Sequence, residues 1–114
     1  MKVGFSGTAE VVLSFEAEDA AVTPGHPVSL CGNDRVADAG AGEIPIGIGL
    51  QERCGIAAVQ MKGFAEVPYS GTAPQLGWTS LVADGAGGVK VADGGLPCLV
   101  VHVDTEANTL GLYL

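Results

Sequence analysis

Apolar and polar residues alternate along most of this chain with a period of two, which is typical of β-strands that bury one face. In residues 10–16, Val11, Leu13 and Phe15 would point one way and the polar side chains the other, which predicts a half-buried strand. Further strands are predicted at residues 28–31, 36–37, 44–50, 56–69 (one bent strand or two), 79–82, 89–91, 96–103 and 109–113. No stretch shows a helical period, so the predicted fold class is all-β, a small barrel or sandwich.

The strand predicted at residues 44–50 carries glycine on one face. Gly47 and Gly49 alternate with apolar residues that would share the other face, namely Ile44, Ile46, Ile48 and Leu50. Because glycine weakens a strand interior, its use at alternate positions indicates that another backbone or sheet comes close to that face.

The same succession of segments occurs twice along the chain. The first set is GHPVSL, RVAD and IPIGI at residues 25–30, 35–38 and 44–48, and the second is GWTSL, KVAD and LPCLV at residues 77–81, 90–93 and 96–100. Gly25 and Gly77 are 52 positions apart, as are Pro45 and Pro97, while the loops differ in length. We therefore expect a fold built from two pseudo-equivalent β units.

The repeat leaves the orientation of one strand open. The alignment of the two prolines places Ile46 and Ile48 opposite Cys98 and Val100. The alternation within residues 96–103 instead favours an inward face made of Leu99, Val101 and Val103. A shift of one residue exchanges the two faces of a strand, so either a bulge intervenes or both faces are covered.

The composition indicates one folded domain with more apolar surface than a monomer covers. Apolar residues make up 47% of the 114 residues and charged residues only 16%, whereas a quarter is usual for charged residues. So few charges leave apolar area that a monomer covers poorly, which favours a partner or a homo-oligomer. We divide the chain into an N-terminal segment, residues 1–21, with one strand and an arm at residues 1–6, and a β domain, residues 22–114.

Charge and hydropathy exclude several classes of partner. The formal net charge is −8, and the five basic residues are isolated from one another, whereas binding a nucleic acid requires clustered Lys and Arg. The longest apolar runs, at residues 44–50 and 96–101, are too short to span a bilayer. The first residues lack the apolar core of a signal peptide, so we expect a protein made in the cytoplasm with no membrane partner.

The three cysteines do not form a recognisable metal motif. Cys31, Cys54 and Cys98 are far apart in the sequence and include no Cys-x-x-Cys pair. A zinc site would have to combine them with His26 and His102, and nothing in the spacing supports one. We expect reduced, buried thiols.

Catalytic groups are equally unsupported by the local sequence. Asp38 and Asp93 occupy equivalent positions in the two units, but each precedes a glycine-rich turn, where aspartate accepts hydrogen bonds from nearby backbone N–H groups. A triad could combine Ser29 or Ser80 with His102 and Asp104, yet neither serine lies in a Gly-x-Ser-x-Gly elbow. The glycines at residues 85–88 run into a strand rather than a helix, which predicts a hairpin turn rather than a phosphate site.

Two residues invite a binding role. Lys62 follows Met61, as in the Met-Lys pair that carries biotin in biotinyl domains, but Gly63 follows it where a second methionine is usual. Trp78, the only tryptophan, could pack in the core. It could equally anchor an interface, since tryptophan is enriched among binding hot spots. We name Trp78 and Phe5 as candidate interface residues.

Residues 22–114 resemble the small decoration, or cement, proteins of tailed-phage capsids. The resemblance lies in an order of segments: TPGHPV at residues 23–28, a glycine- and alanine-rich turn, an isoleucine-rich strand, GFAEVP at 63–68, a second segment around Gly77, and a strand pair ending at Leu114. This sequence departs from the family in having Trp78 where a polar residue is usual. Residues 1–21 have no counterpart in the pattern.

The resemblance implies an all-β subunit that assembles as a homotrimer and clamps neighbouring major capsid proteins on the outer surface of the expanded head. It implies no enzymatic activity and no cofactor. Our leading hypothesis is therefore a virion structural protein located on the capsid surface of a bacteriophage. The alternatives are a carrier domain of biotinyl or lipoyl type modified at Lys62, and a small hydrolase or ligand-binding β-barrel.

Overall fold

A computed structural model describes residues 11–18 and 21–114, and every regular element in them is a β-strand. The ten strands are β1 (Val11–Glu16), β2 (Pro27–Gly32), β3 (Arg35–Asp38), β4 (Gly47–Arg53), β5 (Ile56–Lys62), β6 (Phe64–Pro68), β7 (Gly77–Ala83), β8 (Val89–Val91), β9 (Leu96–Asp104) and β10 (Thr109–Tyr113). The predicted all-β fold is confirmed. Among the described residues no helix could cross a membrane.

The first five strands form a closed barrel in the order β1-β3-β2-β4-β5. Hairpins join β2 to β3 and β4 to β5, and β1 runs antiparallel to β5. The barrel closes where Glu16 of β1 pairs in parallel with Arg35 of β3. The last five strands form a second sheet in the order β6-β10-β9-β7-β8.

The two sheets repeat one topology, with each strand of the first matched by the strand five places later. Ala17 N–H donates to Gly55 O after β1, and Tyr69 N–H, 52 positions after Ala17, donates to Asn108 O after β6. A parallel bridge from Tyr69 to Val89 joins the end of β6 to β8, as the bridge that closes the barrel joins β1 to β3, although it lies one residue further along the chain. The two pseudo-equivalent units are therefore present, and the repeat extends to β1, which the sequence comparison did not place.

Each unit has its own apolar core. In the barrel, Val28, Val36, Ala57 and Val59 are fully buried. In the second unit the buried cluster comprises Ala65, Val67, Tyr69, Leu81, Val89, Cys98, Leu110 and Leu112, together with Ile48 from β4 of the first unit. Ile48 thus connects the two units, because it lies on the outer face of the barrel and packs into the core of its neighbour.

Several expected strand faces differ from the structure. β4 begins at Gly47, so Ile44 lies in the preceding loop and is 52% exposed. Leu50 is exposed because a bulge between Gly49 and Gln51 turns it out of the expected face. The expected inward face of residues 96–103 is also wrong. Cys98 and Val100 are buried, whereas Leu99, Val101 and Val103 are only partly buried. Strand pairing makes Leu99, and not Val100 as in the repeat alignment, the counterpart of Ile48.

Backbone geometry explains two features of the glycines. One is the break between β5 and β6, and the other is the predicted close approach of another backbone at Gly47 and Gly49. Gly63 has a φ of 119° and ends β5, so residues 56–69 form two strands. A Cβ atom at Gly47 would overlap the backbone oxygen of Gln60, and one at Gly49 would lie 2.6 Å from Val22 Cγ1. The expectation that another backbone approaches this face of β4 is confirmed.

Candidate interaction surface

Trp78 is the most exposed large apolar residue in the described part of the chain. Its side chain is 75% exposed, and Leu76 and Val91 beside it are 68% and 45% exposed. An open groove of about 330 Å³ is lined by Trp78 and Val91 together with Thr72, Ala73, Gln75 and Thr79. We call Leu76, Trp78 and Val91 the Trp78 surface. Of the two interpretations of this tryptophan, the structure excludes core packing.

The local fold explains why Trp78 lies in the open. β8 pairs only with Leu81–Ala83 of β7, so the first half of β7 extends beyond it. The Thr79 hydroxyl donates to Gln75 O at 3.1 Å and fixes the loop that leads into β7. No charged residue lies between Glu66 and Asp84, the longest such interval in the chain. That interval is the sequence signal that could have identified the whole surface rather than Trp78 alone.

A second apolar surface lies on β1, and the sequence did not predict it. Val11, Val12 and Leu13 are 45%, 43% and 47% exposed, so the expectation of a half-buried strand is wrong over its first half. β1 pairs with β5 along one edge, whereas Glu16 alone bridges its other edge to β3. Because β3 does not extend along that edge, the inward-pointing Leu13 is left uncovered.

The residues considered for catalysis are held in separate places. Asp38 accepts hydrogen bonds from Thr23 N–H at 2.9 Å and from the Thr23 hydroxyl at 2.7 Å, and its Oδ2 lies 3.4 Å from His26 Nδ1. The turn role expected for Asp38 is therefore wrong, since its hydrogen-bond donor Thr23 precedes β2 and does not lie in the glycine-rich turn after β3. His26 is half-buried and its ring packs against Gly87 of the second unit.

Asp84 and Asp104 have the turn role instead. Asp84 Oδ1 accepts hydrogen bonds from the N–H groups of Ala86 and Gly88. Asp104 Oδ1 accepts hydrogen bonds from the N–H groups of Glu106 and Ala107. Burial raises the pKa of Asp84, but these bonds and one from Ser70 outweigh it, so the pKa lies below its usual value. The predicted hairpin at residues 84–88 is confirmed.

The imagined triad is not assembled. The Ser29 hydroxyl of β2 donates to Glu43 Oε1, in the loop between β3 and β4, at 3.2 Å. His102 lies on β9 with its Nε2 3.9 Å from Glu66 Oε1 and its ring 6.2 Å from that of Phe64. Asp104 is occupied by its own turn.

The exposure of two cysteines and the position of Lys62 were not predicted from the sequence. Cys98 is buried as expected, but Cys31 and Cys54 are exposed, because Cys31 lies at a bulge near the end of β2 and Cys54 in the turn between β4 and β5. No group of three His, Cys, Asp or Glu residues able to hold a metal ion occurs in the described ranges. Lys62 ends β5 and is paired with Val11, rather than lying at the tip of a hairpin.

The remaining candidate, Phe5, lies outside the described residues, as do the other residues of the proposed arm at 1–6. No protein family model and no curated protein sequence matches the chain. What the chain does must therefore be argued from its own surfaces.

Proposed function

We propose that this chain is a head decoration protein of a tailed bacteriophage, a homo-oligomer that binds the outer surface of the capsid and strengthens it. The observation that carries the proposal is the exposed, charge-free Trp78 surface. An apolar patch with a tryptophan at its centre is typical of a protein–protein contact. The resemblance of residues 22–114 to decoration proteins supplies the identity of the partner, the major capsid protein.

Two further features support a contact role. The apolar residues exposed on the barrel, among them Val12, Leu13, Leu30, Ile44 and Ile56, lie apart in sequence from the Trp78 surface. An oligomer bound to a shell needs at least two contact surfaces, one for its own copies and one for the capsid. The groove beside Trp78 is open, whereas small-molecule sites bury most of their ligand.

Stabilisation of the head follows from mass action. A protein that binds the assembled shell but not its dissociated subunits adds RT ln(1 + [L]/Kd) to the stability of each site. At a free concentration 100 times the Kd this amounts to about 2.7 kcal/mol per site. Many sites on one shell would raise its resistance to heat and chelators without any chemical reaction.

The proposal is tested by mixing the purified protein with expanded heads of the source phage that lack it. We expect the protein to sediment with expanded heads and to raise the temperature at which they release DNA. Unexpanded heads and an unrelated acidic protein of similar size serve as controls. Absence of co-sedimentation together with unchanged head stability would refute the proposed function.

A further inference from the structure

The two units use equivalent positions on their outer faces, but one of these positions is buried in the first unit and exposed in the second. Residues directly opposite each other on neighbouring strands point to the same side of a sheet. In the barrel, pairing places Pro27, Ile48 and Gln60 in one row. In the second unit the corresponding pairs give the row Trp78, Leu99 and Tyr113. We call these the first and second outer rows.

These three residues of the first outer row are buried, whereas Val12, which lies opposite Gln60 at the end of the row, is exposed. Pro27 is fully buried, and Ile48 and Gln60 are 5% and 4% exposed. Ile48 belongs to the core cluster that otherwise consists of second-unit residues, and the Gln60 amide donates to Phe64 O at 3.0 Å. Within one chain, therefore, the first outer row covers the core of the second unit.

The second outer row differs from the first at its Trp78 end. Trp78, the counterpart of Pro27, is 75% exposed, and Leu99 and Tyr113 are partly buried. The structure also identifies an exposed residue that this row could cover. On the inner face of the second unit, Ala65 of β6 is 8% exposed. Its counterpart 52 positions earlier is Leu13 of β1, which points toward the barrel core and is 47% exposed.

We propose that the second outer row of one copy packs over the exposed Leu13 of a second copy, repeating between chains the contact that joins the two units within a chain. This inference rests on the homo-oligomer of the proposed function and not on the capsid. Trp78 and Leu13 are exposed, whereas their counterparts Pro27 and Ala65 are buried within the chain. The occupant is therefore a second copy of this chain.

The charge distribution is also compatible with a contact between two copies of this chain. Copies that each carry a net charge of −8 repel one another, so a stable contact must avoid placing carboxylates face to face. The second outer row contains no charged residue, and neither do residues 11–15 of β1. The contact is head-to-tail, because the row and the Leu13 position are different surfaces. Such contacts close into rings when the rotation between copies permits.

The first part of the test is the mass of purified protein in solution, measured by sedimentation. The wild type is expected to exceed the 11.4 kDa of a monomer. Trp78→Lys and Leu13→Lys should each weaken association at least about 30-fold, as expected for a hot-spot residue. The matched controls Val12→Lys, which alters the neighbouring and oppositely directed residue of β1, and Leu30→Lys should leave it unchanged. A monomeric wild type, or an equal loss in Val12→Lys, would overturn the proposal.

The second part separates a head-to-tail contact from a symmetric one. In an equimolar mixture of Trp78→Lys and Leu13→Lys, one partner keeps an intact Leu13 and the other an intact Trp78. We expect a heterodimer in the mixture although each variant alone is monomeric. If mixing restores no association, the two surfaces do not bind each other and the proposal fails. Trp78→Ala and Leu13→Ala serve if a lysine variant does not fold, as judged by circular dichroism. Head binding is not needed for any of these results, so the two proposals fail separately.

Discussion

At the scale of the residue, burial divides the three thiols into two kinds. Cys98 is 2% exposed and its thiol contacts Leu96 O at 3.5 Å, whereas Cys31 and Cys54 are exposed. Burial raises the pKa of the Cys98 thiol to about 11, with a smaller opposing effect of Lys62. Since the thiolate is the reactive form, the native protein should expose two reactive thiols and protect the third.

This prediction is checked with a thiol reagent at mildly alkaline pH. We expect two cysteines to be modified rapidly in the folded protein and the third only when denaturant is added. Cys98→Ala should leave the fast count at two, and Cys31→Ala should reduce it to one. Three fast thiols in the native wild type would show that the core of the second unit opens readily.

At the scale of the element, the glycines of β4 allow the barrel to be packed as tightly as it is. The Cβ of alanine at Gly47 would overlap the Gln60 backbone oxygen and lie 2.9 Å from Val59 Cγ1. Because backbone cannot move aside as a side chain can, Gly47→Ala should lower the free energy of unfolding by about 1–3 kcal/mol. The measurement is denaturant unfolding followed by circular dichroism.

Gly32→Ala is the matched control for this change. Gly32 is also in a strand of the barrel, its φ is not in the left-handed region, and the nearest atom to an added Cβ is Arg35 Cβ at 3.8 Å. Its stability should therefore be unchanged or slightly raised, because alanine restricts the unfolded chain. Equal destabilisation by both substitutions would mean that the loss of glycine itself, and not the overlap at β4, is responsible.

The sequence predicted most strands because turn residues and period-two alternation are local properties. The β7–β8 hairpin and the strand at residues 109–113 were predicted for this reason, and the paired glycines of β4 indicated a close backbone. Exposure could not be predicted in the same way. Leu13 and Phe15 lie on one face of β1, yet Leu13 is exposed because β3 does not extend along it. Such a difference depends on how far a neighbouring strand reaches, which alternation does not encode.

The candidate surface was predictable only in part. Trp78 was recognisable as the only tryptophan of the sequence, and the charge-free interval around it could have marked Leu76. The exposed Leu13 on β1 could be identified only from the strand pairing. Only the matching hydrogen bonds after β1 and β6 establish that Leu13 corresponds to Ala65, and only the burial of Ala65 shows that Leu13 lacks cover.

At the scale of the whole molecule, net charge and apolar surfaces act in opposite directions on association. Two copies at −8 repel each other through solvent, and salt screens that repulsion over a Debye length of about 10 Å at 0.1 M. The proposed contact contains no ion pair for salt to weaken. Association should therefore strengthen several-fold between low and physiological ionic strength, since only the repulsion is screened.

Sedimentation of the wild type across a sodium chloride series measures this dependence. Leu13→Lys is the control, because without the contact its mass should stay that of a monomer at every salt concentration. Weaker association at higher salt would indicate that pairs of opposite charge hold the copies together. Since Lys90 is the residue next to Val91 of the Trp78 surface, Lys90→Gln would then reveal whether a cation there forms such a pair. Under the apolar contact proposed here, Lys90→Gln retains the wild-type increase with salt.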